Sequence, residues 1–292
     1  MRMNQRCKTC LLNKNLSNYP AKASDAEIAV YQQMILNTVL ENSECSAPEV
    51  LEKISIVYRE LFGPEKHYSD IKRHFNALML AREADIQANL DVADDPLRRA
   101  VQYAMTGNFI DFAALENVNE DKLNYLLNEA ANIPINDTVF NSFRQEILSA
   151  RRLVYFTDNC GEIVMDKLLI KTIRRFCPAL HITVIVRGKP VVNDATMADA
   201  DQVGLIEVAS AVIGNGSGIA GNVLHTLSQD ALREIDSADV LIAKGQGNYE
   251  SLSGCGKNIF YIFMCKCQLF AERFQVPKLT GILTKENAAD AL

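Results

Sequence analysis

The sequence predicts an α/β protein: a helical first half, then a mostly parallel sheet covered by helices. Two observations carry this. Up to residue 148 apolar residues recur at helical spacing, and no segment alternates convincingly as a strand would. After Arg151, short runs of β-branched and aromatic residues alternate with amphipathic segments, the pattern of successive strand–helix–strand units. The division is therefore drawn between a helical domain or cap, residues 1–148, and an α/β domain, residues 149–292.

Taken in order, residues 24–62 begin with an apolar stripe of Ile28, Val30, Tyr31, Met34, Ile35 and Val39. A helix from about Ala47 to Phe62 stops at Gly63-Pro64. Helical patterns follow over 68–90, 95–106 and 119–130, and the acidic stretch 91–95 reads as a solvated turn. In the second half, LVYFTD (153–158) is the first strand, followed by a turn and the amphipathic EIVMDKLLIKTIRRF. HITVIVRG (181–188), GLIEVAS (204–210), ADVLIAKG (238–245) and the fully apolar core of KNIFYIFMC (257–265) supply four more.

The chain has 292 residues, enough for two modest domains or one large one, and 48% of them are hydrophobic. A net charge of −6 argues against general nucleic-acid or membrane-surface binding, which needs surplus Lys and Arg. It leaves anionic substrates open, because a metal and a few cations can invert the field in one cleft. No apolar run reaches the roughly 20 residues of a membrane span. The first 15 residues offer only Leu11 and Leu12 where a signal peptide would be apolar, so a cytoplasmic protein is expected. Its eight cysteines then read as reduced thiols or metal ligands.

In parallel sheets ligands bind beyond the carboxyl ends of the strands. Four such ends carry polar or glycine-rich sequence: Asp158-Asn159; Arg187-Gly188, leading to Asn193-Asp194; Asn215-Gly216-Ser217-Gly218; and Lys244-Gly245-Gln246-Gly247-Asn248. Asp158 and Asn159 offer hard oxygen ligands, or equally a cap for the helix that follows. Asp194 would bring a second carboxylate to the same crevice, and a divalent cation would relieve their repulsion. Arg187 and Lys244 suit either phosphate binding or salt bridges to these acids. Glycines such as Gly216 and Gly245 let backbone N–H groups approach an anion, although neither loop matches a P-loop and no dinucleotide fingerprint follows the first strand.

Glu162 and Glu250 are each a general base or outer ligand, or a helix-terminal acid. Cys7 and Cys10 form half a zinc site that Cys265 and Cys267 could complete, or are plain thiols. Cys160 is disfavoured as a nucleophile beside carboxylates, and the four histidines lack ligand spacing. GNFIDF places Asn108 and Asp111 in a break between helices, as site residues or as turn and cap; Asn76 is a weaker candidate.

Together TDNCGEIVMD, VRGKPVVNDAT, GNGS and AKGQGNYESL resemble the metal-dependent damage-control phosphatases, long known as domain of unknown function 89 and including acidic-residue methyltransferase-like proteins. The resemblance spans nearly the whole chain, and the CxxC and GNFIDF strings are similar to its prokaryotic branch. It implies a helical domain on a Rossmann-like domain, with the active site between them. It implies a metal (Mn²⁺, Co²⁺, Ni²⁺ or Mg²⁺) held by Asp158, Asn159 and Asp194, and a small phosphorylated metabolite as substrate, a sugar phosphate or a damaged metabolite. Lys244 is expected at the phosphate, with Arg187, Ser217 and Asn108 lining the pocket. Glu162 or Asp158 would orient the attacking water, with an aspartyl-phosphate on Asp158 as competing chemistry. Cys160 departs from the family's small residue at its position. Two other functions remain: carboxyl methyl transfer from S-adenosylmethionine, for which no glycine-rich loop follows the first strand, and phosphometabolite binding without turnover.

Overall fold

The structure, a computed structural model, describes residues 1–107 and 120–286, of which 120–123 by backbone alone. Asn108 and Asp111 lie outside the described residues.

The sheet has six strands: β1 (Arg152–Phe156), β2 (His181–Val186), β3 (Ala211–Gly214), β4 (Val240–Lys244), β5 (Ile259–Met264) and β6 (Gly281–Lys285). Their order is β3-β2-β1-β4-β5-β6. The first five are parallel and β6 runs antiparallel to β5. Successive strands move outward one way from β1 to β3 and the other way from β4 onward. The chain ends of β1 and β4 therefore diverge at a switch point, where an open sheet leaves a crevice.

Alternation along each strand builds a core on either face. Leu153, Tyr155, Ile182 and Val184 pack with Val101, Met105, Phe140 and Phe143 and with the buried side of the helix Glu162–Phe176. Val154, Phe156, Leu241 and Tyr261 pack on the other face with Ile235, Tyr249 and Phe270. The helices before β1 contribute to two cores. Those from Ser69 onward close the first face of the sheet. The first three, α1 (Gln5–Asn15), α2 (Asp25–Glu41) and α3 (Ala47–Phe62), share a core of their own around Tyr31, Ile35, Val39, Val50 and Ile54. Four-residue spacing puts Tyr31, Ile35 and Val39 on one face of α2; Val30 falls a hundred degrees away and is 49% exposed.

Two elements differ from expectation. The third strand is Ala211–Gly214 rather than 204–210. Gly204 has a left-handed backbone (φ 67°) and starts a single 3₁₀ turn, Leu205–Glu207. Leu205 and Val208, three apart, are buried while Ile206 is exposed, so the apolar spacing is that of a turn and not of a strand. Strand β6 has no counterpart among the five predicted strands. It covers the edge of β5 and leaves Thr284, a polar residue within the apolar run, buried.

Candidate active site

The crevice between β1 and β4 is built by backbone first. Thr157 N–H still donates to Ile185 O (3.1 Å), so Asp158 emerges one residue past the sheet. Ala195 N–H donates to Asp158 O (2.7 Å) and Cys160 N–H to Asn193 O (2.8 Å), pairing Asn159 with Asp194 in an isolated antiparallel bridge. The loop after β2 is thereby fastened to the turn after β1. Gly161, at φ 70°, then turns the chain into the helix that begins at Glu162.

Arg187, 2% exposed, gathers the acids. Its Nε donates to Asp194 Oδ2 (2.6 Å) and its Nη1 to Asn248 Oδ1 (3.1 Å). Its Nη2 lies 3.6 Å from Asp158 Oδ1 and has no hydrogen-bond partner among the described residues. Asp158 and Asp194 thus converge on one guanidinium.

Asn159 sits between two acids. Its Nδ2 donates to Asp158 Oδ2 (2.8 Å) and to Glu162 Oε2 (3.0 Å), which uses both amide hydrogens and turns Oδ1 the other way. Glu162 Oε1 accepts from Lys244 Nζ (2.7 Å), which also donates to Asp166 Oδ1 (2.5 Å). Asp166 Oδ1 accepts from Tyr155 Oη as well (2.7 Å). Lys244, expected at the phosphate, is 0% exposed and enclosed by these two carboxylates.

Glycine is required at the end of β4. Gly245 has φ 82°, and a Cβ there would lie 2.0 Å from Asp158 Oδ2, so the backbone is pressed against that carboxylate. Gly216, at φ 80°, and Ser217 follow β3. Ser217 O accepts from Gly188 N–H (3.1 Å) and Lys189 N–H (3.0 Å), while its hydroxyl accepts from Ile219 N–H (3.3 Å). The loops after β2 and β3 are therefore joined, with the Ser217 side chain occupied in holding its own turn.

Beneath the loops runs a chain of buried carboxamides: Asn215 to Asn222 (2.9 Å), Asn222 to Asn248 (2.8 Å), and Asn248 to Lys244 O (2.6 Å) and Thr157 O (3.1 Å). Asn248→Ala would strip partners from Arg187, Asn222 and two carbonyls. Each stranded buried group costs about 1–3 kcal/mol. With four groups affected, the expected loss of stability is about 4 kcal/mol or more by urea denaturation, and a loss below about 1 kcal/mol would contradict this account of the chain.

The helical half reaches the same turn. Asn76 Oδ1 accepts from Gly161 N–H (2.6 Å) and its Nδ2 donates to Asp199 (2.9 Å). Lys72 Nζ donates to Asp194 O (2.7 Å) and pairs with Asp199 (2.6 Å). Glu250 instead accepts from Gln246 (2.7 Å), on the helix where the amino terminus docks.

Burial, then the nearby Asp194 and Glu162, holds the Asp158 carboxyl well above the usual carboxylate range; Lys266 and Arg187 oppose this. Burial raises Asp166 to about 6 against the pull of Lys244. Burial would lower the Lys244 ammonium, but Asp166 and Glu162 outweigh it and the group is held above its ordinary value. Burial, then Asp199, raises the Cys160 thiol, which keeps it protonated and a poor nucleophile.

These observations bear on whether a cation fits. Among the described residues, four buried carboxylates meet here (Asp158, Glu162, Asp166, Asp194), faced by two buried cations, Arg187 and Lys244, with half-buried Lys266 nearby. A negative surplus remains, held in a buried crevice. No three His, Cys, Asp or Glu side chains among the described residues converge at ligand spacing. The residues that do come together, Asp158, Asp194 and Asn159, have only oxygen to offer as ligand atoms, which suits a hard divalent ion.

A family model described as the damage-control phosphatase ARMT1-like domain matches residues 3–280. The chain belongs to this family. It is 31% identical over 282 residues to a damage-control phosphatase of Archaeoglobus fulgidus, covering 92% of this chain and 93% of that one. It is also 31% identical over 289 residues to a damage-control phosphatase of Pyrococcus horikoshii, covering 95% and 96%. A crystal structure of a domain-of-unknown-function-89 protein from Pyrococcus horikoshii superposes with a TM-score of 0.80 at 25% identity, over 98% of this chain and all of that one. Membership makes the chain a phosphatase, built on the mixed α/β frame described above.

Sequence reasoning missed Asp166, Tyr155, Asn222, Lys72 and Lys266. Asp166 had a usable signal: with Glu162 it puts two acids four residues apart on one face of an amphipathic helix whose other charges are all basic, in a chain with a Lys ending a buried strand. Asn222 had none.

No helix among the described residues is long and apolar enough to cross a membrane.

Proposed function

We propose that this phosphatase hydrolyses small phosphorylated metabolites, sugar phosphates or damaged metabolites, with a divalent cation (Mn²⁺, Co²⁺, Ni²⁺ or Mg²⁺) held by Asp158, Asn159 and Asp194. The observation that carries the reading is their convergence: the Asp158 and Asp194 carboxylates and the Asn159 carboxamide meet at the β1–β4 switch point, with Arg187 Nη2 buried beside them and lacking a hydrogen-bond partner among the described residues. When bound, such an ion polarises a phosphoryl oxygen and offsets the charge that develops there.

The chain's own groups supply the rest. Arg187 offers a planar donor to the phosphoryl oxygens, and the loop of Gly216 admits the group close to the backbone, while Gly245 leaves room for the Asp158 carboxylate. Of the two carboxylates expected to orient water, Glu162 is 0% exposed with one oxygen on Lys244 and the other on Asn159, while Asp158 is 8% exposed. Asp158 takes that task. A cleft of about 860 Å³ lies beside the site, between α2 and α3 on one side and the loop after β2 on the other, lined by Tyr31, Tyr58, Lys72, Pro190, Thr196 and Asp199. It receives the rest of the metabolite, so the cap formed by residues 1–148 supplies the specificity wall, and residues 149–292 the chemistry.

The test is phosphate release from an aryl phosphate and from a panel of phosphometabolites, with each of the four metals. Turnover should appear with at least one metal, vanish in EDTA and return on adding the ion. Turnover that ignores EDTA, or ligand binding without release of phosphate, would overturn the reading.

A further inference from the structure

Asp166 and Lys244 are buried charges with no contact to the cleft, and their placement has a use. We propose that Asp166, Lys244 and Glu162 form a brace that aims the Asn159 carboxamide at the cation, so that Lys244 is a positioning residue acting through Glu162. This rests on the metal assignment made above and deepens it.

The geometry is continuous from sheet to site. Tyr155 Oη and Lys244 Nζ both donate to Asp166 Oδ1 (2.7 and 2.5 Å), so the carboxylate is fixed to β1 and β4 at once. Lys244 Nζ then fixes Glu162 Oε1 (2.7 Å). The other Glu162 oxygen receives Asn159 Nδ2 (3.0 Å) and, more weakly, Asn159 N–H (3.4 Å). With its second amide hydrogen on Asp158, Asn159 cannot rotate its amide without losing two charge-assisted hydrogen bonds. Its Oδ1 is the only acceptor it has left to offer, and the brace decides where that oxygen points.

Energetics favour a brace over a mere core salt bridge. Three ionisable side chains at 0% exposure cost far more to bury than apolar residues of the same size. Asp166 Oδ2 is buried without a hydrogen-bond partner among the described residues, so the cluster is not the best-satisfied arrangement for stability alone. Groups behind a metal's ligands typically set affinity by 10–100-fold through ligand orientation.

The experiment is Mn²⁺ binding to the full chain, followed by calorimetry and by loss of the free-ion EPR signal, in wild type, Asp158→Ala, Asp166→Asn and Glu162→Gln. Wild type should bind one ion and Asp158→Ala none; failure here sinks the metal assignment itself. Asp166→Asn keeps the shape but leaves Lys244 with one charged partner. Mn²⁺ affinity should then fall about 10–100-fold, and turnover should recover as Mn²⁺ is raised, with KM for the phosphate ester unchanged. Unchanged Mn²⁺ affinity in a folded Asp166→Asn overturns the brace. If that variant does not fold, Glu162→Gln carries the same expectation, because a glutamine amide cannot accept from Lys244 and Asn159 together. Lys244→Met separates the two roles for the lysine: a brace predicts weakened Mn²⁺ binding. Weakened inhibition by inorganic phosphate at intact Mn²⁺ affinity would return Lys244 to the phosphate.

Discussion

Asp158→Ala is expected to abolish metal binding and turnover together while the protein stays folded. Asp158 is joined to the rest of the site on three sides: Asn159 Nδ2 on Oδ2, the Arg187 guanidinium on Oδ1, and the Gly245 backbone against the carboxylate. Removing it takes away one of two carboxylate ligands and one of the two acids that hold the Asn159 amide. An ion that supplies several kcal/mol of transition-state stabilisation is lost with it, so kcat should fall about a thousandfold or more. Folding should survive because burial and two acid neighbours make this charge costly in the metal-free state. The paired readouts are calorimetry with Mn²⁺ and circular dichroism. A folded variant that keeps full activity would refute the site.

Arg187→Met has the second largest expected effect, and here stability and activity should separate. The side chain holds Asp194 directly, lies beside Asp158 and anchors the carboxamide chain at Asn248. Taking one partner from a buried ion pair costs about 3–5 kcal/mol because the other charge stays behind. In the metal-free protein that full loss is expected in the urea midpoint. Saturating Mn²⁺ should restore part of it, since the ion compensates Asp194 in place of the guanidinium. Turnover should remain down about 100-fold or more even with metal, because the planar donor to the phosphoryl group is gone. Arg187→Lys should keep more of the stability than of the activity, as an ammonium replaces the charge but not the fork. Equal recovery of both by Mn²⁺ would mean that Arg187 serves the fold alone.

Much of the frame was legible because parallel strands are buried on both faces and read as apolar runs. β1, β2, β4 and β5 fall where LVYFTD, HITVIVRG, ADVLIAKG and KNIFYIFMC place them. The strand-end rule then points to Asp158, Asn159, Arg187, Asp194 and Gly245 without any side-chain coordinates, and these residues do meet. What the sequence leaves unread has physical causes. Edge strands are short and half-buried, so the four-residue Ala211–Gly214 lost to the longer apolar-spaced turn just before it. The direction in which Lys244 points is a matter of which helix face covers β4, and nothing in KGQGN records that Glu162 and Asp166 lie over it. The carboxamide chain depends on contacts between loops far apart in sequence, and Asn222 reads as an ordinary turn residue.

One diffraction experiment addresses the whole account: crystals grown with Mn²⁺, with data collected at a wavelength where its anomalous signal is strong. A single strong peak is expected at the β1–β4 switch point, about 2.1 Å from oxygens of Asp158, Asn159 and Asp194. A peak elsewhere, at the amino-terminal thiols for instance, or none at saturating Mn²⁺, would contradict it.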